Sequence, residues 1–240
     1  MKLALSVSLA VVLLLQAESA GQNLLVNGNL DDPGIHESDI ATGWTLEEPS
    51  LDSTGTPVNS ATFASFADHT TEGVPGGVGL WYRSFEGGLG DDEPFEVDAH
   101  LYQDVPGTAG APYALSAWYR YEANYPGTNP FAVTDTILAM EFLDAGSSVI
   151  GSVIQNVDDH WPGNSNWFQV SINGVAPAGT AFVRARSSMI SGVLVADNPQ
   201  SAYVDDFSLV VPEPASAIML LVPALAALCR RAATPRRMAK

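Results

Sequence analysis

The chain has 240 residues and a formal net charge of −17, from 27 Asp and Glu against 10 Lys and Arg. Between Gly21 and Val211 the imbalance is steeper: 25 acidic residues face four basic ones, Arg83, Arg120, Arg184 and Arg186, with no lysine, a net of about −21. That excludes nucleic acid as a partner, because phosphate contacts are made by Lys and Arg, and since the single cysteine, Cys229, lies beyond this stretch, no disulfide supports it, leaving core size or a metal to do so.

The chain opens with Met1 and Lys2, an apolar run over 3–15, and then Gln16-Ala17-Glu18-Ser19-Ala20. This is the charged, apolar and small-residue order of a secretory signal peptide. The apolar run is shorter than the roughly 20 residues that a membrane span needs. Cleavage after Ser19 or after Ala20 fits, and an uncleaved anchor is the alternative. Residues 1–20 are therefore expected to be a signal peptide, and the remainder to be exported.

From residue 21 to 210 no long stretch shows apolar residues at helical spacing, while short runs bounded by Gly, Pro, Asn and Asp recur. In chain order the candidate strands are 23–30, 43–46, 61–66, 79–83, 100–105, 113–121, 136–143, 149–157, 167–175, 180–187 and 202–210. Short strands with turn-rich connections predict an all-β single domain, a sandwich or jelly roll. Alternation is clearest over 113–121, which sets Tyr113, Leu115, Ala117, Tyr119 and Tyr121 on the core face and Trp118 and Arg120 opposite. The same rule places Arg184 and Arg186 side by side, on a face expected to be exposed. Long connections between the strands are where ligand contacts are expected.

The last segment, 211–240, reads Val211-Pro212-Glu213-Pro214, a 14-residue apolar run over 215–228, then Cys229-Arg230-Arg231 and later Arg236, Arg237 and Lys240. Positive charge after an apolar stretch holds that end in the cytoplasm. The run is short for a lasting anchor and Pro223 interrupts it, so a transient inner-membrane association suits it better than a permanent one. An ordinary membrane anchor is the alternative. Beside such a segment Cys229 could be acylated or inert.

In order, spacing and position this tail resembles the PEP-CTERM sorting signal: a Pro-Glu-Pro motif (Pro212, Glu213, Pro214), an apolar helix and an Arg cluster (Arg230, Arg231). The resemblance implies processing by an exosortase, a membrane cysteine protease, in Gram-negative-type bacteria that often make extracellular polysaccharide. It also implies retention at the cell surface or release into the matrix.

The stretch between resembles the carbohydrate-binding-module-like, galactose-binding-domain-like β-sandwiches. The resemblance rests on Asn23-Leu24-Leu25-Val26-Asn27-Gly28-Asn29-Leu30-Asp31 followed by Gly43-Trp44, on Leu101-Tyr102-Gln103-Asp104-Val105 with the 113–120 strand, and on Ala176-Pro177-Ala178-Gly179 with Tyr203-Val204-Asp205-Asp206-Phe207. In that family a structural calcium often ties the first strand to the last. Carried over, its ligands are Asp31 and Asp205, with Asp206 beside them. Hard calcium takes six to eight oxygens, so two acids and loop carbonyls could hold it; the alternative is that Asp31 begins a turn and the other two are solvated. The family's Phe-Glu pair is Leu30-Asp31 here, a shorter acid.

No catalytic constellation stands out: Gly-x-Ser-x-Gly, His-Glu-x-x-His and phosphate-cradling loops are absent, and His36, His69, His100 and His160 are scattered. Glycoside hydrolysis needs only two carboxylates, and the abundance of acids argues neither way. Binding has better support, since sugars stack on aromatic rings while carboxylates and Arg bond their hydroxyls. The candidates are Trp81, Tyr82, Trp118, Arg120, Tyr125, Trp161 and Trp167, with Trp44 and Trp167 expected to be the most buried. The expectation is a non-catalytic exported sandwich, at the cell surface or in matrix polysaccharide, that binds glycan, with extracellular polysaccharide as its partner, or serves as a matrix component. A secreted glycan-active hydrolase and a purely structural surface protein are the alternatives.

Overall fold

A computed structural model of the protein describes residues 21–32, 41–65, 70–71, 77–88, 95–129, 132–195 and 200–212. The signal segment 1–20 and Glu213, Pro214, Arg230 and Arg231 of the sorting motif lie outside the described residues, as do His36 and His69. The compact unit runs Asn23–Val211. Among the described residues its core lies between Leu25 and Leu209, so the unit carries a core of its own.

Among the described residues ten strands form it: β1 (Thr45–Glu47), β2 (Ala61–Ala64), β3 (Gly79–Tyr82), β4 (Val97–Pro106), β5 (Pro112–Tyr121), β6 (Asp135–Leu143), β7 (Val149–Asn156), β8 (Phe168–Val175), β9 (Phe182–Gly192) and β10 (Ala202–Val210). They make two five-stranded antiparallel sheets, β1-β4-β9-β6-β7 and β2-β3-β10-β5-β8. The fold is a jelly-roll β-sandwich, as the sequence predicts. β4 and β5 bury alternate residues between the sheets along their whole length, because successive side chains point to opposite faces. On β5 the buried set is Tyr113, Leu115, Ala117, Tyr119 and Tyr121, as the alternation predicts. Two core tyrosines share one acceptor: Tyr82 and Tyr119 both donate to Ser187 Oγ, at 2.9 and 3.1 Å. Burial pushes both phenols well above their ordinary range.

The segment 23–30 differs from expectation. It is a run of turns, because Asn27 and Leu30 take positive φ (52° and 59°), which breaks an extended chain. It is fastened as a wedge: Leu24 N–H donates to Leu209 O (2.8 Å), Phe207 N–H to Gly28 O (2.7 Å), and Gln103 bonds both backbone groups of Val26 (2.7 and 2.9 Å). Gly28 is needed there, since a Cβ would come within 2.4 Å of Phe207 O. Trp44 is buried over this wedge, donating to Asn27 O (2.9 Å) with its ring 4.7 Å from Phe207.

Arg184 and Arg186 do point outward from β9, yet they are not solvated. Their side chains are 22% and 18% exposed. Arg184 forks onto Asp104 of β4 (2.6 and 2.9 Å) and lies 4.0 Å from the centre of the Tyr102 ring, while Arg186 pairs with Glu141 of β6 at 2.7 Å. The register sets Asp104, Arg184 and Glu141 in one row across three strands, so opposite charges cover each other.

Candidate functional site

The outer face of the other sheet is aromatic. Thr62, Trp81, Tyr203 and Arg120 are successive cross-strand partners over β2, β3, β10 and β5. Tyr203 is covered, with Arg120 Cζ 5.4 Å from its ring centre and its hydroxyl donating to Glu122 Oε1 at 2.8 Å. Arg83 Cζ lies 5.4 Å from the ring centres of both Trp81 and Phe85, and its guanidinium pairs with Glu86.

Two residues along β5 from Arg120, Trp118 sits between Asp205 of β10 and Gln169 of β8. It forms one wall of a cleft of about 380 Å³, also lined by Thr71, Trp167 and Asp206, a size within the usual range for small-molecule sites. Local chain geometry builds each wall. Trp167 stands immediately before β8. Asp206 reaches the cleft because the β10–β5 pairing slips between Asp205 and Ser208, and Asp206 itself takes φ 51°, an inserted-residue bulge that breaks the two-residue alternation. Thr71 is held from beneath: its N–H donates to Asp205 Oδ2 (2.9 Å) and its hydroxyl bonds both Asp205 Oδ2 (3.2 Å) and Asp206 Oδ2 (2.5 Å). Two half-buried indoles, a carboxylate and a hydroxyl thus face one space, which offers flat apolar walls and hydrogen-bonding partners to a ligand that has both faces and hydroxyls.

The loop from Asp158 to Asn166 borders this face, since Ser165 O accepts from Arg120 Nε–H at 2.9 Å. It starts at a partly buried acid. Asp158 accepts from Tyr121 O–H (2.6 Å) and Thr136 N–H (3.0 Å). Burial pushes its carboxyl up to about 7, against the pull of those two hydrogen bonds, with Asp135 adding repulsion.

Of the aromatic and arginine candidates, Trp81, Trp118 and Arg120 share the outer face and Trp167 joins them, half-exposed as a cleft wall and not in the core as expected. Tyr82 is corrected: it points into the core, 0% exposed, because it pairs across β10 with the inward Ala202 while its neighbour Trp81 faces out. Tyr125 is likewise buried, hydrogen-bonded to Thr136 Oγ1 at 2.7 Å. Trp161 packs against the core and donates to Asn164 O (2.9 Å) within its own loop. Sequence reasoning missed Thr71 and Tyr203. Tyr203 was findable by extending the alternation of β10, whereas Thr71 is brought in only by the fold.

The proposed metal ligands Asp31 and Asp205 hold the two ends of one connection. Asp31 Oδ1 accepts from Val78 N–H (2.7 Å), Asn29 donates to its other oxygen, and the fully buried Asp205 holds Thr71. Among the described residues no three His, Cys, Asp or Glu side chains converge, and the aspartate oxygens serve there as acceptors for N–H and O–H donors. A cation at this place would need its remaining oxygens from backbone carbonyls or from residues outside the described set.

No protein-family model matches the chain, and no curated protein matches it. Solved structures do. The enzymatically active domain of bacteriophage CBA120 tailspike protein 4 is similar at 14% identity and a TM-score of 0.52, over 79% of this chain and 21% of that one. The chain thus spans about a fifth of that protein's length, and the likeness is one of fold. A family-61 carbohydrate-binding module in complex with β-1,4-galactotriose has 15% identity and a TM-score of 0.46, over 79% of this chain and 99% of the module. A family-16 carbohydrate-binding module has 17% identity and a TM-score of 0.40, over 78% and 99%.

Proposed function

We propose that this protein is an exported, non-catalytic β-sandwich that holds a glycan chain in the Trp118–Trp167 cleft, at the cell surface or in the extracellular matrix. The observation that carries the binding reading is the cleft itself: two indoles, Asp206 and Thr71 around about 380 Å³, where sugar rings stack on aromatic faces and hydroxyls bond the acid and the threonine. Trp81 and Arg120 extend the same face beyond the cleft. Cleavage has less support than binding. A glycosidase sets two carboxylates on either side of the bond, whereas among the described residues Asp206 is the one carboxylate lining the cleft and its neighbour Asp205 is buried and engaged with Thr71.

Export and sorting rest on the two ends of the sequence, Met1 to Ala20 and the Pro212-Glu213-Pro214 tail with Arg230 and Arg231. In this reading an exosortase-type protease is the processing partner, with the tail in the inner membrane only until cleavage. Calcium enters as a structural ion alone: bound near Asp31 and Asp205 it would fix the connection that carries Thr71, without touching the glycan.

The test is calorimetric titration of the 23–211 unit with a panel of neutral and acidic glycans. Saturable binding to one class is expected, weakened at least about tenfold by Trp118→Ala, the loss of roughly 1.4 kcal/mol or more that a stacking ring supplies. Turnover of the bound glycan would overturn the non-catalytic part. Absence of binding across the panel would leave a structural surface role as the better account.

A further inference from the structure

Two adjoining strands at one side of the sandwich carry no charge. β7 and β8 are the last strands of their sheets and lie against each other, Gly174 of β8 packing so closely on Val153 of β7 that a Cβ would come within 2.8 Å of it. Over Val149–Asn156 and Phe168–Val175 there is no Asp, Glu, Lys or Arg, in a domain that carries 25 acids. Four large apolar side chains are exposed there: Val149 (54%), Ile150 (38%), Ile154 (55%) and Val175 (65%).

A sheet edge presents unpaired N–H and C=O groups, and proteins blunt such edges with charge, proline, shortness or cover. The opposite edges obey that rule. β1 is three residues long and ends in Glu47, and β2 is buried throughout. β7 does not: it is eight residues long, largely exposed, uncharged and free of proline.

We infer that β7 is a self-association edge, pairing antiparallel with β7 of a second copy about a twofold axis and joining the two β1-β4-β9-β6-β7 sheets into one. Charge selects a second copy meeting here. Two domains of net charge about −21 repel wherever acids face each other, and a twofold contact sets identical residues against each other, so it needs a strip without acids.

The faces of the two sheets stay continuous only if paired residues point to the same side. A register centred on Ser152 satisfies that and sets Ile154 of each copy across from the bulge at Ile150 of the other, where the β6 pairing slips between Gly151 and Val149, so that the exposed Ile154 is covered. A contact one strand wide buries little area, so the dimer is weak and concentration-dependent. Salt strengthens it by screening the net repulsion. The Trp118–Trp167 cleft opens on the other sheet and stays accessible.

Sedimentation velocity on the 23–211 unit over a concentration series, at low and moderate salt, reads the association directly. A reversible monomer–dimer equilibrium that salt favours is expected, and Ile154→Lys, a charge on the exposed edge, should weaken it by about tenfold or more. The register has its own readout. Ser152→Cys places a thiol opposite its own copy at a Cα separation of roughly 4.5–5.5 Å, within disulfide reach, in a unit with no other cysteine, so mild oxidation should give a covalent dimer. Ser171→Cys on β8 should not. A wild-type unit that stays monomeric at every concentration and salt overturns the inference. So does a dimer that survives Ile154→Lys, or one that cross-links through Ser171→Cys and not through Ser152→Cys.

Discussion

The two outward sheet faces use similar residues to different ends. On the β1-β4-β9-β6-β7 sheet, Asp104, Arg184, Glu141, Arg186 and Tyr102 all stand on strands, and register alone fixes them against one another until each charge is matched. On the other sheet the strands supply Trp81, Trp118 and Arg120, but Thr71, Trp167 and Ser165 come from connections. A face made only of strand residues closes on itself. One with walls made by loops keeps a gap, and a gap is what a ligand needs.

The sharpest way to break the comparison is Glu141→Ala. It removes the carboxylate partner of Arg186 and leaves that guanidinium, only 18% exposed, with the Ser188 hydroxyl and a hole beside it. Deleting one member of a largely buried pair costs about 2–3 kcal/mol here, toward the low end because the site is not fully dry. Urea unfolding should show that loss with glycan affinity unchanged. Trp118→Ala should do the reverse. If Glu141→Ala abolished binding, the charged face would have to be counted part of the glycan site.

What could be read from the sequence follows the same division. Period-two alternation identified the inward tyrosines of β5 because a long strand buries one side for its whole length. It failed over 23–30, where Leu24-Leu25-Val26 looks like a buried strand and nothing about Leu30 announces a positive φ. It was silent on Trp81 against Tyr82, since a four-residue strand has no pattern long enough to choose a face. Only the pairing of Tyr82 with Ala202 decides that. The arginines were placed on the correct side of β9, but Glu141 and Asp104 are distant in sequence, so the neutralising partners were invisible. Of the cleft, Trp118 is legible as an outward strand residue and Trp167 as an aromatic candidate, whereas the bulge that turns Asp206 into it and the placement of Thr71 are not.

The next effect concerns the loop that borders the aromatic face. Because Asp158 has its carboxyl raised to about 7, the folded protein holds that proton more tightly than the unfolded chain, whose carboxyl titrates near 4. Its contribution to stability is therefore full below about pH 4 and is lost as pH rises through about 7. Asp158→Asn removes the titration while keeping an acceptor for Thr136 N–H. Between about pH 5 and pH 8 the variant's melting temperature should fall by about 3–5 °C less than the wild type's, the shift that roughly 1–2 kcal/mol makes in a domain of this size. Parallel pH profiles for the two proteins would sink the assignment.

The smallest expected effect distinguishes hydrogen bonds from metal at the clasp on Thr71. Asp205→Asn keeps one acceptor where the aspartate uses two, for Thr71 N–H and Asp206 N–H, and should cost about 1 kcal/mol, the worth of one ordinary hydrogen bond. Because Thr71 lines the cleft, glycan affinity should drop with it, while Glu141→Ala leaves affinity alone. The same melting experiment run with calcium and with chelator assigns the cause. A calcium-dependent rise in the wild type that Asp205→Asn removes means that an ion shares the carboxylate. Equal melting in both, with the variant still weakened, means that hydrogen bonds from Thr71 and from Asp206 N–H hold the clasp without an ion, and that the aromatic face is shaped by hydrogen bonds from a loop to a strand bulge.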